Sequence, residues 1–212
     1  MDLFQPDHTV NLLPCDGVVY YHGPVFSDAA AARHTASLIH DIPWAHDEVV
    51  MYGKRIVTAR RVAWFGDLPF KYSYSGVQRE AQPWSAHLLE LKAEAERRTG
   101  TTFNSCLLNL YSNGSEGMAW HSDDEKTLAH EAPIASLSFG AERRFCFKHK
   151  RSPLKTEISL QHGSRLVMQG STQTHWLHSI PKATRITQAR VNLTFRTILP
   201  QRTTCRSAGN SA

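Results

Sequence analysis

A histidine and an aspartate two residues apart form the most chemically suggestive pair in this sequence. In Trp120-His121-Ser122-Asp123, one residue separates the imidazole from the carboxylate. Residues i and i+2 of an extended strand point to the same side, so both groups would reach a common point. Two histidines and one carboxylate form the facial triad that holds non-haem iron(II) with open positions. With 12 histidines in the chain, this pair predicts an iron site only if a third ligand accompanies it.

The third ligand must come from a distant strand, and one downstream segment offers two histidines. Residues 174–181 read Thr-His-Trp-Leu-His-Ser-Ile-Pro and contain His175 and His178. On the residues alone, either imidazole could complete the triad.

A polar and apolar alternation follows this segment. Arg190, Asn192, Thr194 and Arg196 alternate with valine, leucine and phenylalanine. On a half-buried strand the polar set shares one face, which aims two guanidinium groups and an amide into one cavity. A guanidinium fork matches a carboxylate, so two of them suit a dicarboxylate such as 2-oxoglutarate. Ordinary structural ion pairs are the alternative interpretation.

The elements that position these residues change character at Gly100. Before it, the patterns predict a helix over 29–39, which begins after Ser27-Asp28, and a second helix with Pro83 in its first turn. After it come short apolar or alternating runs, which predict a sandwich or barrel. These runs are Phe103–Tyr111, Ile134–Phe139, Arg144–Lys148, Glu157–Leu160, Ser164–Met168 and Val191–Ile198.

Length and composition favour one soluble domain. The 212 residues are 41% hydrophobic and 20% charged, which is ordinary for a globular protein. No run approaches the roughly 20 apolar residues that span a bilayer, and the first residues lack a secretory signal pattern. We therefore expect a cytoplasmic protein (nuclear if the source is eukaryotic), with no membrane association and a monomeric state. The four cysteines form no C-x-x-C pair, and Cys106 and Cys146 read as small buried hydrophobes.

The positive charge favours an anionic partner. The formal net charge is +5, which attracts phosphate backbones. Two basic clusters could grip two strands of a nucleic acid, or they could be solvated faces. They are Lys54, Arg55, Arg60 and Arg61, and then Arg143, Arg144, Lys148, Lys150 and Arg151.

In order and spacing, the joint pattern resembles the signature of the AlkB family, oxidative demethylases of alkylated nucleic acids. Asn109-x-Tyr111 precedes the His121-x-Asp123 pair, and His178 precedes the run from Arg190 to Arg196. The segments 136–140 and 162–164 also resemble parts of that family, and the similarity extends over residues 52–199.

The resemblance implies iron(II) as cofactor, with 2-oxoglutarate and dioxygen as co-substrates. It selects His178 over His175 as the third ligand beside His121 and Asp123. It places Arg196 on the distal carboxylate of 2-oxoglutarate, and the rest of that pocket is implied to be Asn109, Tyr111, Arg190 and Asn192.

The resemblance also implies a substrate, namely DNA that carries N1-methyladenine or N3-methylcytosine. Hydroxylation of the methyl group would release formaldehyde, succinate and CO2. The base contacts implied are Tyr72, Tyr74, Ser75, Asp124 and Glu125, where a carboxylate would favour a cationic base. A duplex wedge is implied at Val50, Met51, Tyr52 and Gly53, with phosphate contacts from Lys54 and Arg55.

The predicted fold class is α+β, with a double-stranded β-helix (jelly-roll, cupin-like) core. N-terminal helices pack on one face, and a nucleotide-recognition hairpin region completes it. The expected organisation is an arm over 1–20, one dioxygenase domain over 21–200 and a disordered tail over 201–212. Within the domain, 48–80 is the nucleotide-recognition segment and 103–199 the jelly-roll core.

Three alternatives remain open at this point. The same chemistry could serve an RNA demethylase or another 2-oxoglutarate oxygenase. The same scaffold could be a non-catalytic nucleic-acid binding module. A cupin-like zinc or sugar-binding protein is a third option, although it would not need two arginines at the spacing of Arg190 and Arg196.

Overall fold

Two antiparallel β-sheets and two main helices make up the computed structural model of the chain. The structure describes residues 10–51, 54–74, 77–97 and 99–199. The helices are α1 (Asp28–Asp41), α2 (Ala86–Glu96) and the short α3 (Thr172–His175). The strands are β1 (Val18–Pro24), β2 (Ala45–Met51), β3 (Lys54–Gly66), β4 (Lys71–Tyr74), β5 (Val77–Glu80), β6 (Ser105–Tyr111), β7 (Met118–His121), β8 (Ile134–Gly140), β9 (Arg143–His149), β10 (Lys155–Leu160), β11 (Ser164–Gln169), β12 (Trp176–Ile180) and β13 (Arg190–Arg196).

The large sheet contains seven strands in the order β1-β11-β8-β13-β6-β3-β2, and the small sheet four in the order β10-β9-β12-β7. Strands that are distant in sequence lie side by side, as expected for a double-stranded β-helix. A separate two-stranded sheet pairs β4 with β5. The predicted jelly-roll core is therefore confirmed, although β1, β2 and β3 extend the large sheet beyond the predicted limits of 103–199.

Side chains alternate strictly between the two faces of the central strands. One face packs against the helices, and the other lines the interior of the jelly roll. On β13, Val191, Leu193 and Phe195 belong to a core cluster that contains helix residues such as Leu38 and Leu88. The intervening side chains of β13 point the other way, into the space between the two sheets. Because of this, one strand both anchors the helices and supplies polar groups to a cavity.

A second core cluster fills the space between the sheets. Aromatic side chains of the small sheet, Phe145, Phe147 and Trp176, pack there with Leu166 and Met168 of β11. Sheets that pack face to face bury their inward side chains in this way. The cluster closes one end of the interior and leaves the polar end of β13 to line a pocket.

The helix boundaries differ from the sequence prediction at α2. Ser85 is the N-cap, and its side chain accepts a hydrogen bond from the Leu88 amide. Pro83 therefore lies two residues before the cap and not in the first turn. The Ser85 side chain can accept a hydrogen bond from a free amide of the first turn, and proline has no side-chain group that could do so. For α1 the N-cap is Ser27, as the sequence suggested, and the helix extends to Asp41.

The N-terminal residues are integrated into the sheet from an earlier point than predicted. Strand β1 begins at Val18 and pairs with β11 from Val18 to Pro24, inside the segment expected to be an arm. Leu13 is buried, and the Asn11 side chain accepts a hydrogen bond from the Val19 amide. The tail over 201–212 lies outside the described residues. No helix in the described part of the chain is long and apolar enough to cross a membrane.

Candidate metal centre and adjoining pockets

Strand pairing in the small sheet brings the two candidate histidine ligands together. His178 of β12 lies directly opposite His121 of the edge strand β7, and their ring centroids are 4.2 Å apart. Asp123 follows in the loop after β7, with its Oδ1 3.9 Å from Nε2 of His121. One ligand atom from each of the three residues lies within 4.8 Å of the other two.

The immediate surroundings of the three groups suit the binding of iron(II). Nδ1 of His121 donates a hydrogen bond to the Ala119 carbonyl oxygen at 2.9 Å, which leaves Nε2 as the atom available to a metal. Burial lowers the pKa of His178 to about 4, so this imidazole is neutral at neutral pH. Burial alone would raise the pKa of Asp123, but Arg196 and the two imidazoles outweigh it and lower the pKa. Two imidazoles and one carboxylate fit the facial triad.

His175 does not join this centre. It lies beside His149 with nearly parallel rings, 6.2 Å between centroids, and both form a second cluster with Asp16. In that cluster, Nδ1 of His149 accepts a hydrogen bond from the Ser152 amide. The ring proton therefore sits on Nε2, which faces Asp16 at 3.3 Å. A protonated nitrogen cannot bind a metal, so this cluster is a histidine–carboxylate contact.

A pocket beside the triad collects most of the residues predicted to bind 2-oxoglutarate. Its lining includes Asn109, Tyr111, Asn192 and Arg196 together with the three metal-ligand candidates. Because β6 and β13 pair in register, with Asn109 opposite Asn192 and Tyr111 opposite Arg190, their inward side chains meet on one surface.

Arg196 lies at the metal end of this pocket. Its Nη1 is 3.8 Å from Oδ1 of Asp123 and 3.2 Å from Oε1 of Glu125. Burial alone would lower the pKa of Arg196, but these two carboxylates outweigh it and raise the pKa.

Arg190 lies away from the metal end and contacts the pocket through Tyr111. Its guanidinium carbon is 5.5 Å from the Tyr111 ring centroid, and Nη2 donates a hydrogen bond to Ser138. Burial lowers the pKa of Arg190 to about 10. Within the described residues, its Nε and Nη1 are buried without a hydrogen-bond partner. A buried cation with unused donors fits a carboxylate ligand.

A larger cavity of about 410 Å³ adjoins this pocket and shares Asp123 and Arg196 with it. Asp124 and Glu125 line it, as does Glu131, while Leu128 and other apolar side chains form the rest of the wall. Glu125 gives one oxygen to Arg196, and its Oε2 is buried with no hydrogen-bond partner among the described residues.

Two residues that the sequence did not single out as functional hold the loop after β7 that contains Asp123. We call this segment the ligand loop. Nζ of Lys150 donates to Ser122 Oγ at 3.1 Å and to the Gln173 carbonyl at 2.8 Å, and it lies 3.8 Å from Asp124. The Gln173 side chain accepts a hydrogen bond from the Asp123 amide at 2.9 Å. Lys150 appeared in the sequence only as one charge in a basic run, and Gln173 carried no signal.

The two predicted basic clusters divide between buried and surface roles. Arg143 is 2% exposed, and its guanidinium donates to the carbonyls of Glu116 and Pro181, so it is unavailable to a strand of nucleic acid. Arg60 pairs with Asp47 at 2.7 Å. Of the two cysteines expected to be buried, Cys106 is buried and Cys146 is only partly so.

The implied nucleotide-recognition residues fall mostly outside the described part of the chain. Tyr52, Gly53 and Ser75 lie outside the described residues, and so do the side chains of Val50, Met51, Lys54, Arg55, Tyr72 and Tyr74. The backbone nevertheless forms the two expected strand pairs, β2 with β3 and β4 with β5.

Comparison with known proteins agrees with this geometry. Residues 17–196 match the model of the 2OG-Fe(II) oxygenase superfamily. The chain is 38% identical over 210 residues to mouse "DNA oxidative demethylase ALKBH2", which covers 94% of this chain and 87% of that protein. It is 42% identical over 173 residues to human "Alpha-ketoglutarate-dependent dioxygenase alkB homolog 3", which covers 77% of this chain. The chain spans 60% of the length of that human relative.

A solved structure supports the fold. "The structure of OsALKBH1" superimposes with a TM-score of 0.60 at 16% identity and covers 87% of this chain and 98% of its own. The chain belongs to the AlkB family within the 2OG-Fe(II) oxygenase superfamily. The family resemblance predicted from the sequence is thereby confirmed, and the superfamily implies iron(II), 2-oxoglutarate and dioxygen.

Proposed function

We propose that the protein is an oxidative demethylase that repairs N-alkylated bases, N1-methyladenine and N3-methylcytosine, in DNA. The observation that carries the proposal is the meeting of His121, Asp123 and His178 beside a pocket with buried arginines. The names of the relatives, a DNA oxidative demethylase and an alpha-ketoglutarate-dependent dioxygenase, support the same activity.

In this proposal three side chains of the chain would hold iron(II). His121 binds through Nε2, Asp123 through a carboxylate oxygen, and His178 through the imidazole that burial keeps neutral. Iron(II) bound there supplies the activation of dioxygen that is coupled to decarboxylation of 2-oxoglutarate.

The positions of the two arginines support a different assignment of the two carboxylates of 2-oxoglutarate from the one that the sequence suggested. Arg196 touches a metal ligand, so we place it beside the end of the co-substrate that faces the metal. Arg190 has unused donors next to Tyr111, so we place the distal carboxylate there, within reach of small side-chain or backbone shifts. Asn109 and Asn192 line the wall between these ends. The sequence-based assignment gave the distal carboxylate to Arg196.

The larger cavity suits the methylated base. A target base leaves the stack to reach such a site and is held by contacts to its edge. Glu125 offers one unused buried oxygen to an exocyclic amine, whereas Asp124 is drawn towards Lys150. We retain Tyr72, Tyr74 and Ser75 as further base contacts, residues 50–53 as a duplex wedge, and Lys54 and Arg55 as phosphate contacts.

The products follow from the balance of the reaction. One methylated base, one 2-oxoglutarate and one dioxygen give the unmodified base, formaldehyde, succinate and CO2. The roles of the chain are to orient the methyl group, hold the carboxylates and exclude bulk water from the interior between the sheets.

The test is a product-mass assay on an oligonucleotide that carries one N1-methyladenine. The protein is incubated with iron(II), ascorbate and 2-oxoglutarate, and single- and double-stranded substrates are compared. We expect loss of the methyl group with stoichiometric succinate. No mass change with continued succinate formation would retain the oxygenase and reject base repair. A parallel assay on methylated RNA and on the free methylated nucleoside separates an RNA demethylase from the proposed enzyme.

A matched variant separates catalysis from binding. His121→Ala is expected to abolish succinate formation, because the triad loses a ligand, while DNA affinity stays within a few-fold. Absence of succinate formation by the wild-type protein would instead favour a non-catalytic nucleic-acid binding module.

A further inference from the structure

An exposed tryptophan lies immediately beside the metal centre on the outer face of the small sheet. Trp120 is 41% exposed and directly precedes the candidate ligand His121 on strand β7. Because successive side chains of a strand point to opposite faces, His121 turns inward and Trp120 outward. Strand β7 is also an edge strand, with only β12 beside it in the small sheet.

A lysine from two strands away reaches this indole. Lys148 of β9 lies opposite Leu177 of β12, and its Nζ is 5.0 Å from the Trp120 ring centroid. The pair thus combines an aromatic face and a cation at one point of the surface. Proteins that bind single-stranded nucleic acids use this combination, because bases stack on the ring while the cation meets the backbone.

The outer face around this pair carries more positive than negative charge. Along β9 the buried side chains are Arg143, Phe145, Phe147 and His149, while Arg144 and Lys148 face outward. On the neighbouring strand β10, Lys155 lies opposite Lys148 and is exposed. The anion on this part of the face, Glu157, is 3.7 Å from Arg144. Lys148 thereby remains beside Trp120 to meet a phosphate, and Lys155 lies one strand further out, opposite Lys148.

We propose that Trp120, Lys148 and Lys155 form a platform for a single-stranded segment that flanks the target nucleotide. The proposal rests on the proposed function, because it assumes a nucleic-acid substrate whose target base enters the larger cavity lined by Asp123 and Glu125. Trp120 stacks an unpaired base next to the target, and the two lysines contact the adjoining phosphates. A duplex offers no free base face along its length, so the platform favours unpaired strands.

The test measures binding of unmodified single- and double-stranded oligonucleotides by fluorescence anisotropy. Trp120→Ala is expected to weaken single-strand binding roughly tenfold, as removal of a stacking aromatic does, and to change duplex binding much less. Trp120→Phe keeps a stacking face and should restore most of the affinity. Leu89→Ala, which removes an exposed apolar side chain on α2, serves as the matched control.

A second variant tests the phosphate contacts. Lys148→Ala is expected to reduce the salt dependence of single-strand binding by about one phosphate contact, whereas Arg33→Ala on α1 should leave the slope unchanged. Equal losses in Trp120→Ala for single and double strands, or no loss at all, would overturn the platform.

Two further measurements distinguish failure of the platform proposal from failure of the proposed function. Cobalt(II) absorption reports whether the centre beside Trp120 still binds metal in each variant. Demethylation of the methylated oligonucleotide by the wild-type protein tests the proposed function itself. If the wild type demethylates while Trp120→Ala binds single strands normally, only the platform is rejected.

Discussion

At the scale of single residues, the state of each donor is set by its immediate surroundings. His178 is neutral because it is buried, and His121 presents Nε2 because its Nδ1 donates a hydrogen bond to the Ala119 carbonyl oxygen. The same reasoning separates His149 from a metal site, since its Nδ1 accepts a backbone amide. Residue types alone could not make this distinction, because all three histidines have the same chemistry in isolation.

Arg190 provides the prediction at this scale. Arg190→Met keeps the apolar stem of the side chain and removes the donors that we place on the distal carboxylate. The KM for 2-oxoglutarate should rise by roughly one to two orders of magnitude, since a hydrogen bond to a charged group contributes about 1.5–3 kcal/mol. Iron affinity should change little, because Arg190 lies away from the ligands. An unchanged KM in steady-state succinate assays would remove Arg190 from the co-substrate site.

At the scale of elements, the ligand loop depends on contacts from two other segments. The turn after β9 contributes Lys150, and α3 contributes Gln173. Both reach the residues around Asp123, which lies in a loop outside regular structure. A ligand on a loop loses conformational entropy when it binds metal. Contacts that already hold the loop in place reduce this entropic cost of metal binding.

We therefore expect Lys150→Met to weaken metal binding. The affinity for cobalt(II), followed by its visible absorption, should fall about tenfold, similar to the loss of other outer contacts to metal ligands. Lys150→Arg keeps the charge and should restore part of the affinity, and Lys182→Met is the exposed control. Wild-type affinity in Lys150→Met would show that the loop is ordered without this lysine.

At the scale of the whole molecule, the two helices and the large sheet share one core. Leu88 of α2 is completely buried in that core, whereas the adjacent Leu89 is 47% exposed. Packing of α2 on the sheet therefore predicts that leucine-to-alanine substitutions at these neighbouring positions lower the free energy of unfolding by very different amounts.

Leu88→Ala should lower the free energy of unfolding by roughly 2–5 kcal/mol, as for other buried leucines. Leu89→Ala should stay within about 0.5 kcal/mol of the wild type. Urea unfolding of both variants measures the difference, and similar values would contradict the packing of α2.

The contact between α1 and α2 also makes stability depend on pH. Nδ1 of His34 lies 2.8 Å from Nε2 of His87, and the rings are stacked. Burial, and next the neighbouring His87, lower the pKa of His34 below its ordinary value of 6.5, while Glu90 opposes and Arg33 adds to the shift. The pair needs at least one neutral ring, because two imidazolium ions repel.

The sign of the pH effect follows from this lowered pKa. Below the ordinary pKa the unfolded chain binds a proton that the folded protein resists, so folding stability is lost as the pH falls. The urea midpoint should therefore decrease between about pH 7 and pH 5, and His34→Leu should flatten this part of the profile. The same slope in both proteins would assign the dependence to other histidines.

The sequence by itself indicated the candidate metal ligands up to one choice, and it indicated the polar face of β13. These features follow from local rules, since alternation with period two is written directly in residues 190–196. It also indicated both helices, but it placed Pro83 in the first turn of the second one, whereas that helix begins after the N-cap Ser85. The family signature then selected His178 over His175.

The tertiary structure decided everything that depends on which distant segments meet. It placed His175 with His149, buried Arg143, and brought Lys150 and Gln173 to the ligand loop. It also set Arg196 beside Asp123 and Arg190 beside Tyr111. No local pattern encodes such contacts, because they arise from the pairing of strands and loops far apart in the chain, where burial and neighbouring charge fix each role.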